Sequence, residues 1–370
     1  MEFELYPELR ISKKALEANL EFLLKCCPKD TRILIPVKAN AYGCGISELI
    51  PFFHEANVDY LGVANPYEGF TLRKLGWKGY ILNLGGFYKE NAEVFFDNNI
   101  MPSITDLWQI DFLNKLAEKR DQILPVHIKL DLGMGRIGLK KQQESQILKS
   151  LQSATHLQIV GIYTHFPNAD IPNDASTKKI IGNFEHTSAQ FIDELKLDRN
   201  LVLLHTANSY ATVFYPESHF DMIRPGLMFY GYFQNKKDLD VYGKKIPLHP
   251  SLSLVARPIS IRQMEKGEPI SYGSTTTSEV DSYNVGVIPL GYADGIPRAL
   301  SNKIKFGEHP LLGRVTMDQI ILGNVSNLEQ SIELCGSDSV PLEKWAEISQ
   351  TITYEIMTGF GNRIRRYLMD

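Results

Sequence analysis

Eight short apolar segments alternate with stretches of helical spacing through the first 240 residues, which predicts a (β/α)8 TIM-type barrel. Beyond residue 240 the rhythm changes to Val-, Ile- and Thr-rich runs divided by Gly and Pro, which predicts an all-β domain. The expected fold class is therefore α/β, with a barrel over residues 1–240 and a β-domain over 241–370. On periodicity alone, an open doubly wound sheet is the alternative for the first part.

The expected barrel strands are 32–39, 60–65, 79–86, 101–105, 126–132, 158–166, 201–206 and 222–230. Ahead of the first, Leu16, Leu20, Leu23, Leu24 and Cys27 recur at the spacing of one buried helical face, and Ser12 stands where a cap is needed. Ile181, Phe184, Phe191 and Leu195 mark the face of a later helix. A polar stretch, 235–240, separates the halves. From about Pro247 the runs LSLVARPISI, VGVIPLGYA and LLGRVTMDQIILGNV read as short strands. There is no low-complexity segment, heptad array or repeat beyond the βα rhythm.

The 370 residues are 44% hydrophobic and 22% charged, ordinary for a soluble enzyme. A formal net charge of −4 supplies no basic field for nucleic acid or an anionic membrane. No apolar run approaches the ~20 residues that span a bilayer, and the start, MEFELYPELR, lacks the features of a signal peptide. Cys26, Cys27, Cys44 and Cys335 form neither a disulfide framework nor a metal-ligand pattern. The expectation is a cytoplasmic protein with no metal, nucleic-acid or membrane partner.

Chemistry enters with Lys38. The run Ile33-Leu-Ile-Pro-Val37 reads as a buried strand that delivers one lysine before the Asn/Gly-rich turn Ala39-Asn-Ala-Tyr-Gly-Cys-Gly45. A lysine partly desolvated there loses basicity and becomes a nucleophile able to form a Schiff base. Alone, such a lysine is ordinarily one whose stem is covered while its ammonium reaches water. This one has company at the strand C-termini, which make the active face of a βα-barrel. Lys129 precedes the turn LDLGMGRIG, and Arg136 lies within it, after the fifth strand. His165, in IYTHFPNAD, ends the sixth; His205 and Ser209, in HTANSY, follow the seventh; Arg224 and Gly226, in MIRPGLMFYG, stand at the eighth. A solitary His165 is a structural histidine and a solitary Ser209 a helix cap. Several such residues on one face are better explained by a site.

VKANAYGxG, with Lys38, Asn40, Tyr42, Gly43 and Gly45 in register, resembles the alanine racemase family, and the likeness runs through the later motifs over nearly the entire chain. The resemblance implies a barrel that binds pyridoxal 5'-phosphate, a β-domain that completes the active site of the partner subunit in a homodimer, and interconversion of L- and D-alanine for peptidoglycan synthesis. By the same resemblance Lys38 is the cofactor-bearing lysine and one catalytic base. Tyr272, in PISYGS, is the opposing base. Tyr42, Ser209 and the backbone at Gly226 and Leu227 match phosphate contacts, where hydroxyls and free amides suit a dianion. His165 matches the histidine stacked near the pyridine ring, and Arg224 the arginine that donates to its nitrogen. Arg136 and Met317 match substrate-carboxylate contacts, with Asp318 beside them. Lys129 matches a lysine carbamylated in some members, which would pair with Arg136, and Tyr292, in LGYADG, a tyrosine at the pocket mouth. The residues by themselves leave open a plain surface lysine at 129, a core aromatic at 292 and an ion pair between Arg224 and a carboxylate.

An arginine opposite the pyridine nitrogen donates a hydrogen bond without surrendering its proton. An unprotonated pyridine is the weaker electron sink, which favours racemisation over transamination. The opposing phenol, near pKa 10 when unperturbed, needs cationic or hydrogen-bonding neighbours, for which Arg136 and His165 are the candidates. Three positions depart from the family pattern: Cys44 replaces a histidine, Thr316 a cysteine, and Asn362, in FGNRIRRYL, aligns with a phosphate-contacting tyrosine. Asn362 thereby implies a looser pocket and raises the alternative of a serine or broad-specificity racemase. An amino-acid decarboxylase of the same plan is less favoured, because such enzymes pair the ring nitrogen with an acid. A noncatalytic cofactor-binding protein needs only the barrel.

Overall fold

The computed structural model describes residues 7–336 and 340–370. It contains two compact units. One is formed by Leu20–Lys38 and Ile50–Phe229; the other by Tyr230–Asp370, Ala39–Leu49 and the described residues up to Asn19.

Strand β1 (Glu8–Ser12) leads into the helix Lys13–Lys25. Ser12 Oγ accepts the Ala15 amide at 3.2 Å, which is the expected cap. Leu16, Leu20 and Leu23 are buried along one face, whereas Leu24 turns to solvent. Strands β2 (Arg32–Pro36), β3 (Tyr60–Val63), β4 (Tyr80–Asn83), β5 (Met101–Ile104) and β6 (Leu124–Asp131) then pair in sequence, all parallel. A two-residue strand, β7 (Leu139–Lys140), hangs on the edge of β6. β8 (Leu157–Tyr163) and β9 (Leu203–His205) continue the sheet, and β10 (Met222–Ile223) pairs back onto β2.

The remaining gap is bridged by the amides of Asp221 and Arg224, which donate to the Leu204 and Ala207 carbonyls at 2.9 Å. A nearly closed parallel barrel is the result, as expected, and the open sheet is excluded. The segment 222–230 is a strand only over its first two residues. Pro225 has no amide to continue the ladder, and the chain turns at Gly226, whose carbonyl accepts the Phe229 amide at 3.0 Å.

Inside the barrel the layers differ in character. Near the N-terminal ends of the strands, Leu34, Tyr60, Leu82, Met101 and Met222 pack together with Val160 and Leu203. Above them lie the polar side chains of Ser103, His127 and His205 and the phenol of Tyr163, all buried. Among the described residues no helix is long and apolar enough to cross a membrane.

The second unit carries two sheets. β11 (Leu252–Ala256), β17 (Ile332–Cys335) and β18 (Arg365–Met369) join β1 in the order β17-β11-β1-β18. β12 (Ser260–Met264), β13 (Tyr283–Ile288), β14 (Lys305–Phe306), β15 (His309–Leu312) and β16 (Ile320–Gly323) form an antiparallel sheet in the order β12-β13-β16-β15-β14. Two short helices, Leu342–Ser349 and Thr353–Thr358, accompany them.

Candidate active site

Strand β2 ends at Pro36, and just beyond Lys38 the chain makes a left-handed turn. Ala39, Asn40, Ala41 and Tyr42 hold φ between 52° and 55°. Each L-residue so placed costs about 1–2 kcal/mol, and such strain persists only where surrounding contacts over-determine it. Those contacts are present. The Gly43, Cys44 and Gly45 amides donate to the Ala39, Ala41 and Asn40 carbonyls at 3.0 Å, and Asn40 Oδ1 accepts the Ile46 amide at 2.9 Å. Arg366 Nε donates to the Gly43 carbonyl at 2.8 Å. At Gly43 a Cβ would stand 2.0 Å from the Met357 carbonyl oxygen, so no larger residue fits. Tyr42 is buried against the rings of Tyr230 and Tyr354, at centroid distances of 4.9 and 5.9 Å.

At the C-terminal ends of the barrel strands, Lys38, Lys129, Arg136, His165 and Arg224 act on one another electrostatically. Much of the Lys38 side chain meets solvent. Its pKa is nonetheless lowered, by burial first and then by Arg136, with Glu68 opposing. Lys129 is only 5% exposed, which excludes a surface lysine. Its amine falls to about 7 through burial, then Arg136, Arg224 and Lys38, against the opposing pull of Asp131. His165 is held well below the ordinary imidazole range by burial and then by Arg224, Lys129, Arg136 and Lys38. Its imidazole is neutral at physiological pH. The cluster suits a group that carries negative charge and needs free amines.

Arg224 is buried and has no carboxylate partner among the described residues. It donates to His205 Nδ1 at 2.7 Å and to the carbonyls of Thr164 and Thr206 at 2.8 and 3.0 Å. The alternative of an ion pair is thereby excluded. Burial lowers its pKa to about 10, and it remains cationic at neutral pH.

A guanidinium only donates, so His205 Nδ1 accepts and its proton resides on Nε2. That N–H donates to His127 Nδ1 at 2.9 Å, and the His127 proton is in turn confined to Nε2. Burial and the Arg224 charge keep both rings neutral, His127 at about 3 and His205 also far below the ordinary range. Gly161 makes room for this pair: a Cβ there would lie 2.2 Å from His127 Nδ1. Tyr163 stacks on His205 with centroids 4.7 Å apart and shares a 2.8 Å hydrogen bond with Ser103.

Ser209 opens the short helix Ser209–Phe214 behind Asn208, whose side chain accepts the Ala211 amide at 3.0 Å. Ser209 Oγ accepts the Gly226 amide at 3.0 Å and the Met228 amide at 3.3 Å, and Leu227 lies buried between them. The three sequence-predicted phosphate contacts in this unit are thus neighbours.

In the second unit the predicted residues gather on adjoining turns. Tyr272 follows Ser271, whose φ is 64°, and precedes Gly273 at 73°; its side chain is 72% exposed. Ser271 Oγ donates to the Arg314 carbonyl at 2.8 Å, which ties this turn to the segment leading to Thr316 and Met317. The Tyr292 and Ala293 amides donate to the Thr316 and Met317 carbonyls at 2.9 and 3.1 Å. Arg363 clamps the group by donating to Asp294 at 2.7 and 2.9 Å and to Asp318 at 2.7 Å. Tyr292 and Met317 are exposed, which removes the core role left open for Tyr292.

Asn362 sits in this same cluster, beside Arg363, where the Gly361 amide donates to the Asp294 carbonyl at 3.1 Å. The aromatic neighbour of Tyr42 is Tyr354, eight positions earlier. Tyr354, in TITYEIM, is a neighbour of Tyr42 that the sequence reading did not single out; its place on the short helix Thr353–Thr358, rather than any motif, reveals it. The sequence reading also missed His127. Its signal was available, since His127 and Lys129 alternate on β6 and face the same side.

Two family models match the chain: the alanine racemase N-terminal domain over residues 11–234 and the alanine racemase C-terminal domain over residues 251–368. An alanine racemase from Thermodesulfovibrio yellowstonii is 36% identical, covering 99% of this chain and 98% of its own. The structure of alanine racemase from Clostridium difficile 630 superposes with a TM-score of 0.91 at 30% identity, covering 100% of this chain and 97% of its own. That of the Bartonella henselae enzyme with covalently bound pyridoxal phosphate superposes with a TM-score of 0.84 at 28% identity, covering 98% and 99%. The chain belongs to the alanine racemase family.

Proposed function

We propose that this protein interconverts L-alanine and D-alanine, with pyridoxal phosphate held on Lys38. The observation that carries the reading is Arg224: a buried cation, bonded to His205 and two carbonyls and facing no acid among the described residues, within the same charged cluster as Lys38 and Lys129. The donor set fits this cofactor. Lys38 offers an amine whose proton is weakened; Ser209, whose oxygen accepts the Gly226 and Met228 amides and whose O–H stays free to donate, offers with the backbone at Leu227 a cradle for a phosphate dianion; and Arg224 offers a donor for a ring nitrogen. When bound, the cofactor supplies an aldehyde that joins amines and a ring that makes the substrate α-proton acidic.

Two bases then do the work of inversion. Lys38 removes or returns the proton on one face, and Tyr272, presented by a partner subunit in a homodimer, serves the other. Arg136 binds the substrate carboxylate together with the Met317 backbone. His165, neutral and close to Arg224, provides a flat surface and a hydrogen-bonding group that does not compete for the proton. Arg224 stays protonated and so limits proton transfer to the ring nitrogen. Lys129, with a pKa near 7, has free amine available at neutral pH. Reaction with carbon dioxide gives a carbamate and one released proton, and the new anion pairs with Arg136.

The cytoplasm is the proposed compartment, in keeping with four free cysteines and a product used in peptidoglycan precursors. The test is chiral analysis of products from a panel of L-amino acids given to the cofactor-loaded protein. D-alanine formation well above D-serine supports the reading, and a wholly inert panel sinks it.

A further inference from the structure

The opposite end of the barrel from Lys38 holds a cavity of about 700 Å³. Arg32, Tyr60, Tyr80 and Met101 line it, and each is the first residue of a barrel strand, so the cavity forms the floor of the barrel. In barrels of this kind the N-terminal face normally serves stability alone. This floor has the chemistry of a site.

Its charge is one-sided. Arg32, Arg73 and Lys78 line the cavity, and among the described residues no Asp or Glu does. Arg73 is fixed by donating to the carbonyls of Asn98, Trp77, Gly79 and Asn99 at 2.8–2.9 Å, and it has no acid to neutralise it among the described ion pairs. Arg32 lies 5.9 Å from the centroid of the Tyr60 ring, which itself stacks on Tyr80 at 4.6 Å. Asp59 adjoins this aromatic pair through its backbone, whose carbonyl accepts the Tyr80 amide at 2.8 Å.

The second observation is independent of charge. His127 also lines the cavity and is fully buried, yet its Nε2 has no hydrogen-bond partner among the described residues. The chain of bonds from Arg224 through His205 fixes the state of that atom: Nδ1 accepts, so Nε2 bears the hydrogen. A buried donor without an acceptor is costly and rare. His127 stands among the residues that line the basic cavity, so a small shift of the ring would bring this donor to an anion held there.

We propose that the floor of the barrel binds a small oxyanion, a carboxylate or a phosphate, which accepts the His127 Nε2–H and is neutralised by Arg32, Arg73 and Lys78. The site is separate from the catalytic face, and it does not depend on which amino acid the enzyme racemises. The Tyr60–Tyr80 stack provides an apolar wall for whatever body the oxyanion carries.

The experiment uses the cofactor-loaded protein, so that the phosphate cradle at Ser209 is already filled. Inorganic phosphate and, separately, succinate are titrated by calorimetry, while the His127 ring resonances are followed by NMR with Arg32→Gln, Lys78→Gln and wild-type chains. The expected result is saturable binding of at least one probe, a downfield shift of the His127 Nε2 proton, and affinity weakened about tenfold in each variant, as for loss of a charge-assisted contact. A response to phosphate alone assigns a phosphate ligand, and a response to succinate alone a carboxylate. Binding that leaves the His127 resonance unmoved, or that is equally tight in both variants, belongs to the catalytic face and overturns the proposal. So does the absence of binding by either probe.

Discussion

The two units hold some of their candidate residues in contrasting ways. In the barrel, Lys129 and Arg224 are each 5% exposed, and the charges around them decide their protonation. In the second unit Tyr272 is 72% and Met317 53% exposed, and their turns are held by backbone bonds and the Arg363 clamp rather than by burial. Buried ionisable groups are built into a fold at a cost and therefore couple chemistry to stability. Exposed ones are poised for something outside their own unit and can be changed cheaply. Substitutions at Lys129 and Arg224 should therefore alter activity and stability together, and substitutions on the exposed turns activity alone.

The largest effect is expected at Lys38, which opens the strained turn. Lys38→Ala removes both the covalent anchor and one base, and racemisation should fall by at least about 10⁴-fold, the upper range for one acid–base group. Borohydride reduction of the wild-type holoenzyme followed by peptide mapping locates the anchor. A cofactor adduct on Lys129 instead would reverse the roles of the two lysines.

Tyr272→Phe tests the other side of the comparison. Removing one hydroxyl from an exposed side chain should leave the melting temperature within about a degree, while kcat falls about 10²–10⁴-fold. Mixing Lys38→Ala with Tyr272→Phe chains should restore activity through hybrid dimers, up to about half of a wild-type dimer per hybrid under two-fold symmetry. Persistent inactivity after demonstrated subunit exchange would remove the partner-supplied base. A melting temperature that drops with Tyr272→Phe would instead show this turn to be structural.

Arg224→Gln should fail on both counts. The shorter side chain leaves the Thr164 and Thr206 carbonyls and His205 Nδ1 short of donors, at a cost of about 3–5 kcal/mol in urea unfolding. Without the cation the His205 and His127 rings also titrate nearer the ordinary imidazole range, which NMR reads directly. Unchanged histidine titration would mean that burial alone holds them neutral. Pyridoxamine phosphate and keto-acid formation by an Arg224→Glu chain tests the companion claim that arginine suppresses transamination; no increase in either would discard it.

Much of this contrast was legible before any coordinates. Apolar runs bounded by turns located the eight barrel strands, and the reactive residues at their ends were readable because strand C-termini form one face. Four things were not. Ala39–Tyr42 contains no glycine, so local preference argues against a left-handed turn; contacts from Arg366 and Met357, more than 300 residues away, impose it. Strand β1 lies between β11 and β18, pairings that no local pattern encodes. The His127–His205 bond joins strands 78 positions apart, and only the closed barrel brings them to 2.9 Å. Tyr354 was readable as a residue but not as the neighbour of Tyr42.

The smallest and most diagnostic effect concerns Lys129, where burial and charge meet. Its amine moves from the ordinary 10.5 to about 7 in the folded chain. Between those values the unfolded chain holds the proton and the folded one does not, so unfolding takes up a proton and stability rises with pH. Below about pH 7 both states are protonated, and the folded chain bears the full cost of a cation among Arg136, Arg224 and Lys38. Lys129→Met keeps a similar length without the charge. In bicarbonate-free buffer it should raise the melting temperature by roughly a few degrees at pH 6, with the gain shrinking as pH climbs from 7 toward 10. Adding bicarbonate should then stabilise the wild-type chain alone, because a carbamate needs the amine and forms only on the native site. A gain independent of pH would mean that packing rather than charge separates the two side chains. A wild-type chain indifferent to bicarbonate would leave Lys129 a bare amine, and Arg136 without the anion proposed for it.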